Sequence, residues 1–355
     1  MKLEDIDKNF KAVQVAELDL EWYDIRKAPF EIYGLVDTGE SFLRMPADVA
    51  KNVNTGVDKL SKHTAGGRVR FSTDSDIVAV TAVLPTFTIM PHMAVLGSTG
   101  FDAYLDDGGF CGSFFPDVYN KKLCNAINLN KKMKSPAEEM RSFTINFPLY
   151  NEVSSVFVGI KKGSRLEKGT PYKNVDKPIV YYGSSITQGA CATRPGMAYQ
   201  NIICRKNNIH YINLGFSGSA RGDIAMAEYI AQIPMTAFVY DYDRNAPNAQ
   251  HLADTHKQFL DVIRNAQPDI PVIMLSLPCT DLEVAEYMAR RDIILDTYNS
   301  FKAQGDNNIY FIDGSKLFDD EFLDDCFVDL CHPTDMGFAK MAKGILNAFD
   351  EAEIR

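Results

Sequence analysis

The chain has 355 residues, 46% hydrophobic and 24% charged, with a formal net charge of −10. That length allows two domains with sizeable cores, and the composition excludes a disordered chain and a membrane-spanning one. Residues 313–355 alone carry −7, so we expect no binding to nucleic acid or to other anionic polymers.

The cysteines and the first residues bear on the cellular compartment. Seven cysteines are scattered along the chain without a Cys-x-x-Cys pair, which favours reduced thiols over a disulfide framework. The N-terminal stretch is charged and lacks the apolar segment of a signal peptide. We therefore predict a cytoplasmic location and no membrane partner. A secreted protein whose leader has been removed is the alternative, and the oligomeric state stays open.

Residues 1–163 are predicted to form an all-β sandwich, because short strand-like runs alternate with turn residues. The runs cover residues 30–35, 68–72, 77–84, 142–147 and 155–160. Residues 49–62 suggest one short helix. The polar, Gly- and Pro-containing residues 164–176 are predicted to be a linker.

Residues 177–355 show a different rhythm, in which strand-like and helix-like stretches alternate. The strands are expected at 178–182, 209–214, 236–241, 271–276 and 308–312, and the helices at 196–207, 221–232, 248–266, 281–304 and 335–350. This alternation predicts a parallel sheet with helices on both faces. Thr334 is placed to cap the last helix.

The first strand of this half ends at Gly183, and Ser184 and Ser185 follow it directly. Ligands of open α/β sheets bind just beyond the carboxyl ends of the strands, so a hydroxyl displayed there is a candidate nucleophile. The Gly-Ser-Ser turn is weak evidence by itself, because turns are rich in serine. The case for a nucleophile in this turn depends on three later segments, at residues 213–218, 241–247 and 329–332.

In this order the four segments resemble the sequence blocks of the SGNH (GDSL-type) hydrolases, whose fold is a five-stranded flavodoxin-like sheet. The resemblance covers residues 177 to about 350, and its most specific parts are Gly-x-Ser-Ile-Thr and Asp-x-x-His-Pro. Upstream, Gly100-Phe-Asp-Ala-Tyr104 is similar to the Gly-x-Asp-Leu-Tyr motif of a sandwich that precedes this fold in a bacterial branch of the family.

The resemblance implies a role for each matching residue. Ser185 is the implied nucleophile, His332 the general base and Asp329 the partner that orients the base. The implied oxyanion hole consists of the N–H groups of Ser185 and Gly218 and the side-chain amide of Asn245. The sequence departs from the family pattern at several positions. Ser184 replaces an aspartate, Asp243 replaces a glycine, Ala246 replaces the aspartate after the asparagine, and Ala103 replaces the leucine of Gly-x-Asp-Leu-Tyr.

The chemistry of acyl transfer explains these residue types. A serine hydroxyl is a poor nucleophile until a base accepts its proton, and imidazole suits that task near neutral pH. A carboxylate on the far ring nitrogen fixes the tautomer, and the oxyanion needs preorganised donors. No cofactor is expected.

Other polar residues are given structural interpretations. Ser217 is predicted to be a turn serine, and His251 and His256 to be solvated on a polar helix. No metal site is predicted, because His63 and His92 lack carboxylates or cysteines at ligand spacing. The acidic residues 319–325 are expected to be a surface stretch rather than a metal cluster.

We therefore predict a serine esterase that removes short acyl groups, acetyl above all, from a small-molecule or oligosaccharide ester. The alternatives are an esterase or thioesterase for small lipid-like esters, and a catalytically silent carbohydrate-binding protein. Residues 100–115, with five aromatic side chains, are expected either to reach over the site as a loop or to fill the sandwich core and the interface between the domains.

Overall fold

A computed structural model describes residues 15–129, 139–278, 283–318 and 322–354. The outer ends of the two predicted domains, and residues 319–321 of the predicted acidic stretch, lie outside these ranges. Within them, antiparallel sheets come first and a five-stranded parallel sheet with helices follows. This arrangement confirms the predicted fold class.

The N-terminal half is built on two antiparallel sheets. Its strands are β1 (Leu20–Asp24), β2 (Glu31–Tyr33), β3 (Val36–Asp37), β4 (Phe42–Leu43), β5 (Arg68–Thr73), β6 (Ile77–Val83), β7 (Phe101–Leu105), β8 (Phe110–Phe114), β9 (Leu123–Asn128), β10 (Arg141–Asn146), β11 (Ser155–Lys161) and β12 (Leu166–Glu167). One sheet has the order β1-β11-β6-β9. The other has the order β12-β5-β10-β7-β8, with β2 also paired to β5, while β3 and β4 pair separately.

Alternating side chains explain how the two sheets share a core. In β10, Phe143 and Ile145 are fully buried, whereas Ser142 and Thr144 are partly exposed. This period of two is typical of a strand with one covered face. Apolar residues of both sheets, Val80 among them, join in a single cluster.

The structure decides between the two expectations for residues 100–115 and adds a strand to the predicted linker. Residues 100–115 form the hairpin β7–β8 rather than a loop over the site, and Phe101, Ala103 and Phe114 fill the sandwich core, as the second expectation had it. Strand β12 lies within the predicted linker and pairs with β5; the domain boundaries themselves stay predictions.

The helix predicted over 49–62 is broken in two. The chain forms α1 (Ala47–Val53) and α2 (Thr55–Leu60), followed later by α3 (Val95–Thr99). Asn54 is extended between the first two, and its side chain accepts a hydrogen bond from the Val57 N–H at 2.9 Å. An asparagine in this position starts a new helix.

The second half contains the parallel sheet. Its strands are β13 (Ile179–Gly183), β14 (Tyr211–Gly215), β15 (Ala237–Asp241), β16 (Val272–Leu275) and β17 (Ile309–Ile312), in the order β14-β13-β15-β16-β17. All four pairings are parallel. In this flavodoxin-like order the chain reverses its direction of travel across the sheet at β13, which opens a crevice at the carboxyl ends of β13 and β15.

Helices cover both faces of this sheet. They are α4 (Ser185–Gln188), α5 (Tyr199–Asn207), α6 (Ile224–Ala231), α7 (Ala249–Ala266), α8 (Val284–Ala303) and α9 (Asp335–Glu351). Strand β13 shows the layering, because Tyr181 packs in one apolar cluster with Phe338 of α9, and Tyr182 packs in the other with Phe259 of α7. Within the described ranges, no helix is long and apolar enough to cross a membrane.

Two predictions about helices can be compared with the structure. Thr334 caps α9 by accepting a hydrogen bond from the Gly337 N–H, which confirms its predicted role. The prediction that His256 is solvated is wrong. Its ring is buried, stacks on Tyr240 at 4.5 Å and contacts the Thr297 hydroxyl at 3.0 Å.

Candidate active site

The nucleophile candidate lies in the tight turn that follows β13. Ser184 is fully buried, and its hydroxyl accepts a hydrogen bond from the Ile186 N–H at 3.1 Å. Its own N–H donates to the Asp241 carbonyl at 3.2 Å. Ser184 is therefore the N-cap of α4, so a serine supports this turn where the family has an aspartate. Ser185 is the first residue of the helix.

The three predicted triad residues meet. The Ser185 hydroxyl oxygen lies 3.0 Å from Nε2 of His332. Nδ1 of His332 lies 2.8 Å and 3.1 Å from the two carboxylate oxygens of Asp329. The Asp329 carboxylate also accepts hydrogen bonds from the backbone N–H groups of His332, at 2.8 Å, and Cys331, at 3.3 Å.

These contacts determine the charge state of Asp329. Partial burial alone would raise the pKa of this carboxyl, but the hydrogen bonds from the His332 backbone and ring and from the Cys331 N–H lower it below its ordinary value. Asp329 is thus ionised at neutral pH. A carboxylate facing Nδ1 keeps the ring proton there and leaves Nε2 free to accept a proton from Ser185.

The predicted oxyanion donors lie on the neighbouring loops. Gly218 follows β14 with φ +66°, a left-handed conformation that suits glycine. Asn245 lies in the turn after β15, and its amide donates to the Phe216 carbonyl at 2.8 Å, which joins the two loops. The N–H groups of Ser185 and Gly218 donate to no protein acceptor within the part of the chain that the structure describes.

The Gly-x-Asp-x-Tyr residues of β7 hold the two halves of the molecule together. Asp102 is fully buried and accepts hydrogen bonds from the Gly196 N–H at 2.8 Å and the Asn146 amide at 2.9 Å. The Tyr104 hydroxyl accepts one from the Arg194 guanidinium at 2.5 Å. Burial raises the pKa of Asp102 to about 6.

Two family models match the chain. Residues 176–348 match the GDSL-like lipase/acylhydrolase family, and residues 20–166 match the GxDLY domain, the N-terminus of SGNH hydrolase-type esterases. The chain belongs to the SGNH/GDSL-type hydrolases. It is a carboxylic ester hydrolase with a GxDLY-type N-terminal sandwich.

Solved structures resemble this hydrolase over nearly its full length. A GDSL-like lipase from Bacteroides ovatus ATCC 8483 is 26% identical, with a TM-score of 0.82 over 94% of this chain and 98% of that one. Salicylyl-acyltransferase SsfX3, from a tetracycline biosynthetic pathway, is 17% identical, with a TM-score of 0.74 over 95% and 98%. An acetyl xylan esterase from Butyrivibrio proteoclasticus is 12% identical, with a TM-score of 0.57 over 94% and 99%. The last two show the fold alone. Among curated proteins, none matches this sequence.

Arg290 of α8 holds the turn that carries Asn245. This role was not predicted from the sequence. One guanidinium nitrogen donates to the carbonyls of Asp243, at 2.5 Å, and Ala246, at 3.1 Å, on either side of Asn245. A second nitrogen pairs with Glu286 at 2.8 Å. Arg290 is 4% exposed, although nothing in the sequence pattern of this helix indicates a buried arginine.

The N-terminal half also contacts the segments that follow β13 and β14. The buried guanidinium of Arg44 donates to the Gly215 carbonyl and lies 4.4 Å from the centre of the Phe216 ring. Burial lowers the pKa of Arg44 to about 9, which leaves it charged at neutral pH. The Tyr150 hydroxyl donates to the Ser185 carbonyl at 3.3 Å. Both loops therefore rest on residues of the first half.

Gln188 connects the turn that carries Ser185 to the loop that carries Gly218. Its side-chain oxygen accepts a hydrogen bond from the Ser217 N–H at 3.1 Å, and its amide nitrogen donates to the Leu149 carbonyl at 3.2 Å. Ser217 is therefore a loop residue, as predicted. In the sequence, the feature that could have indicated the linking role of Gln188 is its position directly after Gly-Ser-Ser-Ile-Thr.

Two buried carboxyls lie beneath the site at the end of β15. Burial, and then the nearby Asp243, raise the pKa of Asp241 well above its ordinary range. Burial raises the pKa of Asp243 to about 6, although the Leu277 N–H donates to it at 2.8 Å. The raised pKa of Asp241 favours its neutral form, and the Thr187 hydroxyl lies 3.1 Å from its carboxyl oxygen.

His92 and Cys191 border His332, a position that was not predicted for them from the sequence. The rings of His92 and His332 are 5.6 Å apart between centres. The Cys191 thiol contacts the His92 carbonyl at 3.3 Å. Burial, followed by the Asp329 charge, raises the pKa of Cys191 to about 12.

Proposed function

We propose that this hydrolase removes short acyl groups, acetyl above all, from carbohydrate esters through an acyl-serine intermediate. Ser185 is the nucleophile, His332 the general base and Asp329 the residue that orients the base. The observation that carries the proposal is the continuous contact from the Ser185 hydroxyl through both ring nitrogens of His332 to Asp329, at 3.0 Å and 2.8 Å.

The steps follow from these contacts. Nε2 of His332 accepts the hydroxyl proton while the Ser185 oxygen attacks the ester carbonyl. The resulting oxyanion accepts hydrogen bonds from the N–H groups of Ser185 and Gly218 and from the Asn245 amide, each worth about 2.7–4 kcal/mol of barrier. Collapse expels the alcohol, which takes the proton from His332. His332 then takes a proton from a water molecule that attacks the acyl-serine. The carboxylic acid leaves, and His332 returns the proton to the Ser185 oxygen.

The substrate class rests on indirect support. The fold is shared with an enzyme named acetyl xylan esterase, and a net charge of −10 favours an uncharged glycan over an anionic polymer. A small lipid-like ester and a silent carbohydrate-binding protein are the competing functions. A cytoplasmic location is part of the proposal and rests on the scattered cysteines alone.

Replacing the nucleophile tests the mechanism. Ser185→Ala should lower kcat for p-nitrophenyl acetate by about 10⁶, while the circular dichroism spectrum stays unchanged. Ser217→Ala is the matched control on the neighbouring loop and should retain most of the turnover. Phosphonate labelling of Ser217 instead of Ser185 would contradict the assignment, and no turnover by the folded wild-type protein would favour the silent binding protein.

A substrate panel tests the acyl and alcohol preferences. p-Nitrophenyl esters of increasing chain length should be hydrolysed more slowly beyond acetate, and mass spectrometry of acetylated oligosaccharides should show stepwise loss of acetyl groups. Faster hydrolysis of long acyl chains, with intact oligosaccharides, would favour the lipid-like substrate.

A further inference from the structure

Two side chains that are far from His332 in the sequence lie next to its ring and form a cluster with it. They are His92, from the segment before α3, and Cys191, from the turn after α4. One nitrogen or sulfur atom of each of the three residues lies within 4.8 Å of those of the other two. The sequence indicated no metal site at His92, because Cys191 and His332 are far from it along the chain and only the fold brings them close.

Two of the three side chains are already held in place. Cys191 is buried, and its thiol contacts the His92 carbonyl at 3.3 Å. The His332 ring is fixed by Asp329 at 2.8 Å. His92 is exposed, so rotation about its side-chain bonds can bring its ring closer. Bonds of about 2.0–2.3 Å to a central ion require the three ligand atoms to move closer together than their present limit of 4.8 Å.

We propose that His92, Cys191 and His332 bind a Zn²⁺ ion that inhibits the enzyme. Two imidazole nitrogens and a thiolate are the ligand set that Zn²⁺ prefers, and a water molecule completes a tetrahedral site. On binding, the thiol releases its proton to solvent and forms the sulfur–zinc bond. Mg²⁺ and Ca²⁺ prefer oxygen ligands and do not compete for these atoms.

Inhibition follows whichever nitrogen of His332 binds the metal. If Nε2 binds, Ser185 loses its proton acceptor. If Nδ1 binds, Asp329 loses the contact that orients the ring. This consequence rests on the proposed function, whereas the binding of Zn²⁺ does not.

Calorimetry of the full chain tests the binding without any need for activity. The metal-free protein should bind one Zn²⁺ ion, and Mg²⁺ at the same concentration should give no heat. His92→Ala and Cys191→Ser should each weaken Zn²⁺ binding at least about tenfold. His251→Ala is the matched control, because His251 lies on α7 and contacts the Arg221 carbonyl; it should bind Zn²⁺ like the wild type. Equal Zn²⁺ affinity in the wild type and His92→Ala would overturn the site.

Turnover of p-nitrophenyl acetate tests the inhibition. Zn²⁺ should inhibit the wild type reversibly, with activity restored by a chelator, and the half-inhibiting Zn²⁺ concentration should rise at least about tenfold in His92→Ala. Zn²⁺ binding that leaves turnover unchanged would overturn the inhibition. An inactive wild type that still binds Zn²⁺ through His92 would refute the esterase function and leave the metal site standing.

Discussion

The side-chain amide of Asn245 has two hydrogens, and each is assigned a different acceptor. One donates to the Phe216 carbonyl at 2.8 Å, and the other is the proposed donor to the oxyanion. Asn245→Ala should lower kcat for p-nitrophenyl acetate by about 10²–10³ and change KM little, because the interaction forms only in the transition state. Steady-state kinetics measure this directly.

Asn248, three residues later, provides the matched control. Its side chain caps α7 by accepting a hydrogen bond from the His251 N–H. Asn248→Ala should cost about 1 kcal/mol of stability and leave kcat nearly unchanged. Equal kcat values for the two variants would exclude Asn245 as a donor.

At the scale of single residues, the contact between Asp329 and His332 was easier to predict than the residues that support the site. Asp329 and His332 are three residues apart, so local geometry brings them together, and their match to a known block identifies them. Arg44 and Arg290 could not be predicted, because arginine is rarely fully buried without a partner. Apart from Glu286, which pairs with Arg290, their partners are backbone carbonyls of other segments, which carry no sequence signal.

At the scale of elements, α8 is the part of the scaffold that positions the third loop. Arg290→Met should leave the Ala246 carbonyl without its side-chain donor, at a cost of about 1–3 kcal/mol, while the Asp243 carbonyl keeps only the Ala246 N–H. Because the loop then shifts Asn245, kcat should fall between about tenfold and 10²-fold. Arg291→Met is the neighbouring control, since Arg291 pairs with Asp313, and should preserve kcat.

A double-mutant cycle separates this positioning role from general instability. If Arg290 acts through Asn245, adding Arg290→Met to Asn245→Ala should lower kcat no further. Additive losses of kcat in the double variant would show that Arg290 supports the fold and not the oxyanion donor.

The elements of the second half were easier to predict than those of the first. Strand and helix periodicities alternate there, and each strand from β13 to β17 lies within two residues of its predicted bounds. The hairpin β7–β8 was missed because glycines interrupt its apolar pattern, and a turn-rich sequence does not reveal which strands pair. Pairing across a sandwich depends on distant partners such as β10, which local pattern cannot identify.

At the scale of the whole molecule, Asp102 makes stability depend on pH. Its pKa is about 6 in the folded protein and about 3.9 in an unfolded chain. Between these values the folded state keeps a proton that the unfolded state has released. The stabilisation is therefore complete below about pH 4 and is lost as the pH rises through 6.

Asp102→Asn should remove this dependence, because asparagine does not ionise. Between pH 4 and 7 the wild type should lose up to about 3 kcal/mol more stability than the variant, at about 1.4 kcal/mol per pKa unit. Thermal unfolding across this pH range measures the difference. Asp107→Asn, at an exposed position in the same hairpin, should follow the wild type; a variant at Asp102 that also follows it would exclude this carboxyl as the source.

The close packing of Gly196 against Tyr104 and Asp102 restricts which versions of the two halves can be combined in one protein. A Cβ atom there would lie 2.3 Å from the Tyr104 ring and 2.7 Å from the Asp102 carboxylate. A chimera that joins the first half of one relative to the second half of another should therefore fold only where both sides of this contact are kept. Its design must transfer Arg194–Gly196 together with the sandwich.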